Sequence, residues 1–295
     1  MDKHVDVFNQ LSTIYAAVLD GSDESQISYK EMTISETVAL LKTPEYSQSY
    51  AAFIDEHEHH IYRGDGRYQF LTAEVIPGKR KSENTYNIYT RLFSDILPSW
   101  RSYPKRNRSF ICTTSQLHAF EYVYHDFQVY CMFPKNNVKI GVCSNDDIWN
   151  SFPILNKYRI ESLDEFNRFF ITFLSKFSDL KERQVIDIFN TGNTLQLKQL
   201  FSKVEHSIKD YDVNKLHTKT LIKYIASTIK NDNRSIVDIL NNDLLNPMVN
   251  GFKLLNNISE LPLINNESYE LWFSGQCLMI SCSIMYECKE LALKQ

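Results

Sequence analysis

Apolar positions in the first 55 residues recur at the three-to-four-residue spacing of amphipathic helices. This spacing predicts a helix over residues 5–18, a second helix that begins near Ser35 and stops before Pro44, and a third over 47–55. Residues 1–55 are therefore interpreted as an N-terminal helical region.

The pattern then changes to short runs of β-branched and aromatic residues, which are typical of strands. Such runs occupy residues 60–64, 109–115, 128–133 and 138–143. Between them, helices are predicted over 84–97 and over 116–124, the second with Ser115 as its N-cap. Residues 56–152 are expected to form the first part of a mixed core.

Helical spacing returns from about 160 to 258, with one broad apolar face over residues 163–177. The chain then closes with two β-type runs, 269–273 and 277–281, around a turn at Gly275. The order helices, strands, helices, strands predicts an α+β fold. In it, residues 153–260 form a helical insertion and residues 261–295 supply the C-terminal strands of the core.

Composition narrows the class of protein. The chain has 295 residues, 43% of them hydrophobic, and a net charge of −4, which argues against a disordered chain and against general polyanion binding. Six cysteines without a CxxC pair are expected to be buried, reduced thiols. No signal-peptide pattern or membrane-length apolar run occurs, so a soluble, cytoplasmic protein with no membrane partner is expected.

Three segments carry candidate chemistry. Arg63 and Gly64 end the first β-type run, the hydroxyl-rich stretch 113–115 ends a later run and leads into a helix, and Glu270 begins the last hairpin. Taken singly, each is more often a surface ion pair, a helix cap or a solvated acid. Their order and their β-type contexts are what make them informative together.

In this order the segments resemble the ADP-ribosyltransferase superfamily, in the branch with an Arg…Ser-Thr-Ser…Glu pattern. The resemblance covers residues 60–143 and 262–283, and it implies a split β-sandwich core of the ADP-ribosyltransferase type. Two features depart from the family. About 155 residues separate the Thr-Thr-Ser stretch from Glu270, and Ser268 stands where arginine-modifying members carry Glu or Gln.

The resemblance implies NAD as the substrate and assigns the catalytic roles. Arg63 would present its planar fork to a phosphate. Thr113 and Ser115 would hold the nicotinamide ribose and orient the glutamate. Glu270 would stabilise the oxocarbenium-like ribose that forms as the glycosidic bond breaks.

Further residues are assigned to NAD binding. The resemblance implies that the backbone of Gly64 holds the nicotinamide amide, and Thr114 belongs to the same hydroxyl-rich stretch. An aromatic side chain, Tyr124 or Phe127, is expected to stack on the nicotinamide ring.

Two acidic segments have alternative interpretations. The Glu- and His-rich residues 56–60 suggest a metal site, but a solvated linker is favoured because consecutive residues on a regular element cannot all face one ion. Asp146 and Asp147 suggest a metal site or a helix cap, and the cap is favoured. No metal is therefore expected, and Asp147 is the substitute acid if Glu270 is not catalytic.

Basic residues cluster beside the proposed site. They are Arg101, Lys105, Arg106 and Arg108, together with residues 79–81, and aromatic residues are interleaved at Trp100, Tyr103 and Phe110. This pattern is compatible with a groove for single-stranded nucleic acid, with a charge complement to NAD, or with solvated loops.

Residues 81–90, 104–106 and 147–149 resemble a group of phage-related and bacterial defence proteins. That group includes the toxin of toxin–antitoxin–chaperone phage-defence systems, an ADP-ribosyltransferase that modifies messenger RNA. The resemblance implies RNA as the acceptor, and an antitoxin and a SecB-like chaperone as partners. Two rival classes stay open: a protein-modifying transferase and a catalytically inactive interaction module.

Overall fold

The computed structural model describes residues 28–294 except 56–59, 67, 79–86, 126–127, 217–219 and 264–267. The helix predicted over 5–18, the Glu- and His-rich residues 56–59, the basic residues 79–81 and Phe127 lie outside the described residues. The described chain is a mixture of helices and one antiparallel sheet, which confirms the α+β class.

Nine strands of the described chain form the sheet. They are β1 (Ser28–Glu31), β2 (Ile61–Gly64), β3 (Thr72–Ile76), β4 (Phe110–Thr113), β5 (Val129–Pro134), β6 (Ile140–Val142), β7 (Lys253–Leu255), β8 (Glu270–Phe273) and β9 (Cys277–Ser281). Their order across the sheet is β1-β3-β9-β5-β2-β4-β8-β6-β7.

The paired length of neighbouring strands is shortest in the middle of the sheet, between β2 and β4. β2 and β4 are in register through the single pair Tyr62 and Thr113, whereas β2 and β5 are in register over all four residues of β2. Side chains from both halves nevertheless share one apolar cluster, which includes Tyr130, Met132 and Phe273. The sheet is therefore folded at the β2–β4 junction, so that its halves face each other across that cluster.

The helices lie on the two outer faces of this folded sheet. They are α1 (Ile34–Leu41), α2 (Ser47–Ile54), α3 (Ile88–Arg91, continued by a π-helical turn, Leu92–Ile96), α4 (Gln116–Phe120), α5 (Leu163–Ser178), α6 (Glu182–Thr191), α7 (Thr194–Lys209), α8 (Thr220–Asp232), α9 (Ile236–Ile239, continued by a second π-helical turn, Leu240–Leu244) and α10 (Met285–Lys294). Short 3₁₀ turns include Pro98–Trp100, Arg106–Arg108 and Ile148–Asn150.

Strand alternation explains how two helical layers are accommodated. In β5, Cys131 and Phe133 face outward and pack with residues of α1, α2 and α10, while their neighbours face inward. In β8, Trp272 faces outward and belongs to the large core of the helices that follow α3. Since these strands are covered on both faces, their residues are almost continuously apolar.

Most predicted elements are confirmed, and three strands were missed. The helices near 35–43 and 47–55 are present, and Thr33 closes a capping box with Glu36 at the start of α1. β1 has no buried residue and β3 is interrupted by Glu74, so neither shows the alternation of a strand. β7 lies within the stretch that was predicted as helical to residue 258.

Among the described residues, none of the helices is both long and apolar enough to cross a membrane.

Candidate active site

The sheet brings Thr113 and Glu270 side by side. They face each other in the β4–β8 ladder, and Thr113 is also paired with Tyr62 of β2. The next residues continue the pairing: Thr114 donates its amide to the Tyr269 carbonyl at 3.0 Å, and Thr114 Oγ1 accepts the Tyr269 amide at 2.9 Å. Segments about 155 residues apart thus meet at the narrow β2–β4 junction.

Arg63 points to the other face of the sheet. Neighbouring residues of a strand alternate in direction, and Tyr62 is the residue that pairs with Thr113. The Arg63 guanidinium donates to the Ile111 carbonyl at 2.7 Å and forms an ion pair with Asp65 at 2.7 Å. Burial opposes its charge, but Asp65 more than compensates and raises its pKa. The structure therefore does not bring Arg63 to Glu270, and the Arg63 guanidinium is bonded to the Ile111 carbonyl and to Asp65.

Gly64 is needed for helix packing. A Cβ at this position would lie 2.0 Å from the Ala119 carbonyl oxygen, so only glycine lets α4 pack this closely on β2. Ala119 is itself buried against the sheet. The small residues at both positions are explained by this contact.

The hydroxyl groups of residues 113–115 shape the turn from β4 into α4. Ser115 Oγ accepts the His118 amide at 3.2 Å, which confirms Ser115 as the cap of this helix. Thr113 Oγ1 accepts the Ser115 amide at 3.1 Å. These hydroxyls hold the strand end in place directly beside Glu270.

Arg106 is the ion-pair partner of Glu270, and this pairing was not predicted from the sequence. Its Nη1 lies 2.7 Å from Glu270 Oε1, and the two side chains are 5% and 14% exposed. Its guanidinium also lies 5.0 Å from the Trp272 ring and 5.9 Å from the Tyr89 ring. Burial lowers the pKa of Arg106, but the charge of Glu270, with smaller contributions from Tyr89 and Cys143, outweighs burial and raises it.

The burial of Arg106 corrects the predicted basic cluster. Arg101, Lys105 and Arg108 are exposed, but Arg106 is not, so it is unavailable to an external nucleic acid. The predicted stacking surfaces are also wrong, because the rings interleaved with this cluster are buried in the core: Trp100, Tyr103 and Phe110.

The loop after β6 wraps around Glu270. Cys143 Sγ lies 3.6 Å from Oε1, and the Ile148 amide donates to Oε2 at 3.4 Å. Asp147 Oδ1 accepts the Trp149 amide at 2.8 Å, which confirms the predicted cap. Burial raises the pKa of Asp147; the Trp149 hydrogen bond lowers it, and the charge of Glu270 raises it again.

Tyr122 follows α4, the helix that Ser115 caps, and its ring packs edge-on against His118 with the centroids 5.6 Å apart. Partial burial raises the pKa of its hydroxyl, and the charges of Asp147 and Glu270 raise it further. Its ring is 64% exposed. Tyr124, the residue predicted to stack on nicotinamide, is 96% exposed. Tyr122 is therefore a further aromatic candidate, and stacking by Tyr124 stays a prediction.

The chain matches no protein-family model, no curated protein and no solved structure. The local chemistry is therefore the basis for a functional proposal. A carboxylate held by one buried guanidinium, next to a second acid and an exposed phenol, can stabilise positive charge that develops on a bound molecule.

Proposed function

We propose that the protein is an NAD-dependent mono-ADP-ribosyltransferase in which Glu270 stabilises the ribose cation as nicotinamide leaves. The observation that carries the proposal is the β4–β8 register, in which Thr113 lies directly opposite Glu270. In the resemblance, Thr113 and Ser115 orient the glutamate, and this pairing supports that role; the length of chain between the two residues does not by itself predict it.

The geometry of Glu270 suits this chemistry. Arg106 holds Oε1 at 2.7 Å, whereas Oε2 has only a longer contact, 3.4 Å, with the Ile148 amide. Oε2 is therefore the oxygen available to a ribose hydroxyl. A carboxylate fixed in this way is preorganised, so it does not have to reorient as positive charge builds on the ribose.

The acceptor is proposed to be RNA, which follows from the resemblance to defence toxins, and an antitoxin and a SecB-like chaperone are proposed as partners in the cytoplasm. Tyr122 is proposed to stack against the nicotinamide ring, because its exposed ring packs on His118 of α4, the helix that follows the Thr113 strand end. Arg63 is not part of this proposal for phosphate binding, since its guanidinium is bonded to Asp65 and Ile111.

The test uses NAD labelled in its adenylate phosphate. Purified protein is incubated with RNA, with cell protein, and without an acceptor. Label on RNA, and its loss in Glu270→Gln, is the expected result. Label on protein would move the acceptor to the rival transferase class. Because Glu270 is ion-paired, each variant's melting temperature is measured alongside its activity.

The matched control is Glu290→Gln. Glu290 is also ion-paired, with Lys294 at 2.7 Å, but it lies on the exposed surface of α10. The control is expected to keep full activity. Equal NAD turnover in Glu270→Gln and Glu290→Gln would refute the assignment of Glu270.

A second candidate function is a catalytically inactive interaction module. It is favoured by a specific observation: Glu270 and Arg63 both form internal ion pairs, and the Ser115 hydroxyl caps a helix. Such residues serve stability whether or not NAD binds. A well-folded protein that neither binds nor cleaves NAD would support this alternative.

A further inference from the structure

A cavity lies beside the segment that carries Arg106. It is an open cavity of about 320 Å³, bounded by the π-helical turn after α3, the 98–105 segment and the start of α7. Two exposed cations, Arg101 and Lys105, line it, and neither has an ion-pair partner among the described residues.

The acid in the cavity wall is already neutralised. Asp95 forms an ion pair with Arg91 at 2.7 Å, and the same guanidinium donates to the Gly192 carbonyl at 2.8 Å. Arg91 therefore ties the turn after α3 to the segment that leads into α7. The cavity keeps a net positive charge between walls that are joined by hydrogen bonds.

Two neutral groups add anion-binding capacity. Ser94 Oγ is buried and has no hydrogen-bond partner among the described residues, although it lines the cavity. An unpaired buried hydroxyl is costly unless a bound molecule satisfies it. Thr194 begins α7, a helix of 16 residues in which Asn193 Oδ1 accepts the Gln196 amide at 2.9 Å, and the helix dipole at the remaining amides of the first turn favours an anion.

We propose that this cavity binds a phosphate group of a nucleotide ligand, held by Arg101 and Lys105. Phosphate binding rests on these contacts alone, whereas the role of the cavity as an acceptor site rests on the proposed function. The source we favour is the backbone of an RNA strand, because Arg101 and Lys105 are exposed at an open cavity that a continuous strand can cross, while the rings of Trp100 and Tyr103 are buried and cannot stack on a base. Contacts to phosphates alone bind without regard to base sequence.

The position of the cavity fits an acceptor site. Lys105 lines the cavity, and the next residue, Arg106, is buried and forms the ion pair with Glu270. The Trp272 indole donates to the Pro104 carbonyl at 2.8 Å, which anchors this segment to β8. A strand bound in the cavity is thus one short segment of chain away from the proposed catalytic carboxylate.

The test compares two double variants that remove equal charge. Arg101→Gln/Lys105→Gln removes the cavity cations, and Arg183→Gln/Lys139→Gln removes two exposed cations outside the cavity. Binding of a fluorescent short single-stranded RNA, of inorganic pyrophosphate and of NAD is measured at low and high salt. The cavity variant is expected to lose about tenfold or more in RNA affinity, and its salt slope should fall by about 1.4, or ~0.7 for each lost phosphate contact.

A third variant, Ser94→Leu, fills the cavity without changing charge, and it is expected to weaken the same binding. Weaker binding of RNA, relative to the control variant, identifies a polynucleotide as the source of the phosphate; weaker binding of NAD alone identifies the dinucleotide. The proposal is overturned if the two double variants lose affinity equally, if Ser94→Leu binds as the wild type does, or if the wild type binds none of the three probes.

Discussion

Replacing Arg106 by Met removes the cation that faces Glu270 and leaves a carboxylate that is only 14% exposed without a counter-charge. Methionine keeps much of the apolar volume between the rings of Trp272 and Tyr89, so the main loss is electrostatic. Breaking a buried ion pair from one side costs about 3–5 kcal/mol. Since Glu270 keeps some contact with solvent, we expect the lower end, about 3 kcal/mol.

This loss is large compared with the roughly 5–15 kcal/mol that stabilises an ordinary domain. For a chain of this size it corresponds to a fall in melting temperature of about 5 °C. Urea unfolding followed by circular dichroism measures the free energy directly, provided that the dependence on urea concentration is unchanged.

Two comparisons isolate the ion pair. Arg108→Met, an exposed arginine on the same 3₁₀ turn, is expected to change the free energy of unfolding by less than about 0.5 kcal/mol. The double variant Arg106→Met/Glu270→Gln is expected to recover about half of the loss, because no unpaired charge then remains. If Arg106→Met and Arg108→Met were equally stable, the conclusion that Arg106 and Glu270 form a buried pair would be wrong.

Two further predictions concern packing and pH. Gly64→Ala places a Cβ 2.0 Å from a backbone oxygen of α4 and should destabilise the fold by about 1–3 kcal/mol. In the control, Gly66→Ala, the Cβ would meet only the Gln128 side chain at 3.9 Å, so this variant should be nearly neutral. Thermal unfolding of the two variants tests the contact, and equal stability would contradict it. Burial raises the pKa of Asp243, but hydrogen bonds from Arg234 and Tyr224 outweigh burial and lower it below its ordinary value of 3.8. The stability from this lowered pKa is therefore present above about pH 3.8 and is lost as the pH falls through the folded-state pKa. We expect Asp243→Asn to reduce the loss of unfolding free energy at acidic pH by about 1 kcal/mol, measured by urea titrations at several pH values. An unchanged dependence of the unfolding free energy on pH would count against this prediction.

Local patterns predicted the elements that bury apolar side chains. The helical spacing over residues 163–177 corresponds to α5, and the β-type runs around Ile61, Phe110 and Leu271 correspond to β2, β4 and β8. These elements are readable because burial selects apolar residues at a regular period. β1 buries none of its residues, so its sequence carries no such period.

Pairing between distant strands could not be predicted from such local patterns. β5 and β6 are joined by a short turn, yet β5 pairs with β2 and β9, while β6 pairs with β7 and β8. The choice between a hairpin and this arrangement depends on which faces can be covered by the helices before and after them. That is a property of the whole fold.

The sequence by itself determined that Thr113 ends one β-strand, that Glu270 begins another, and that Ser115 caps the helix that follows Thr113. Only the tertiary structure decided which side chains share a face. Arg63 and Tyr62 differ by one position along β2, and a strand turns successive side chains to opposite faces, so the register with Thr113 sends Arg63 away from Glu270. The same packing buries Arg106 against Glu270, because a charge is stable in the interior only beside a partner, and that partner comes from a distant strand.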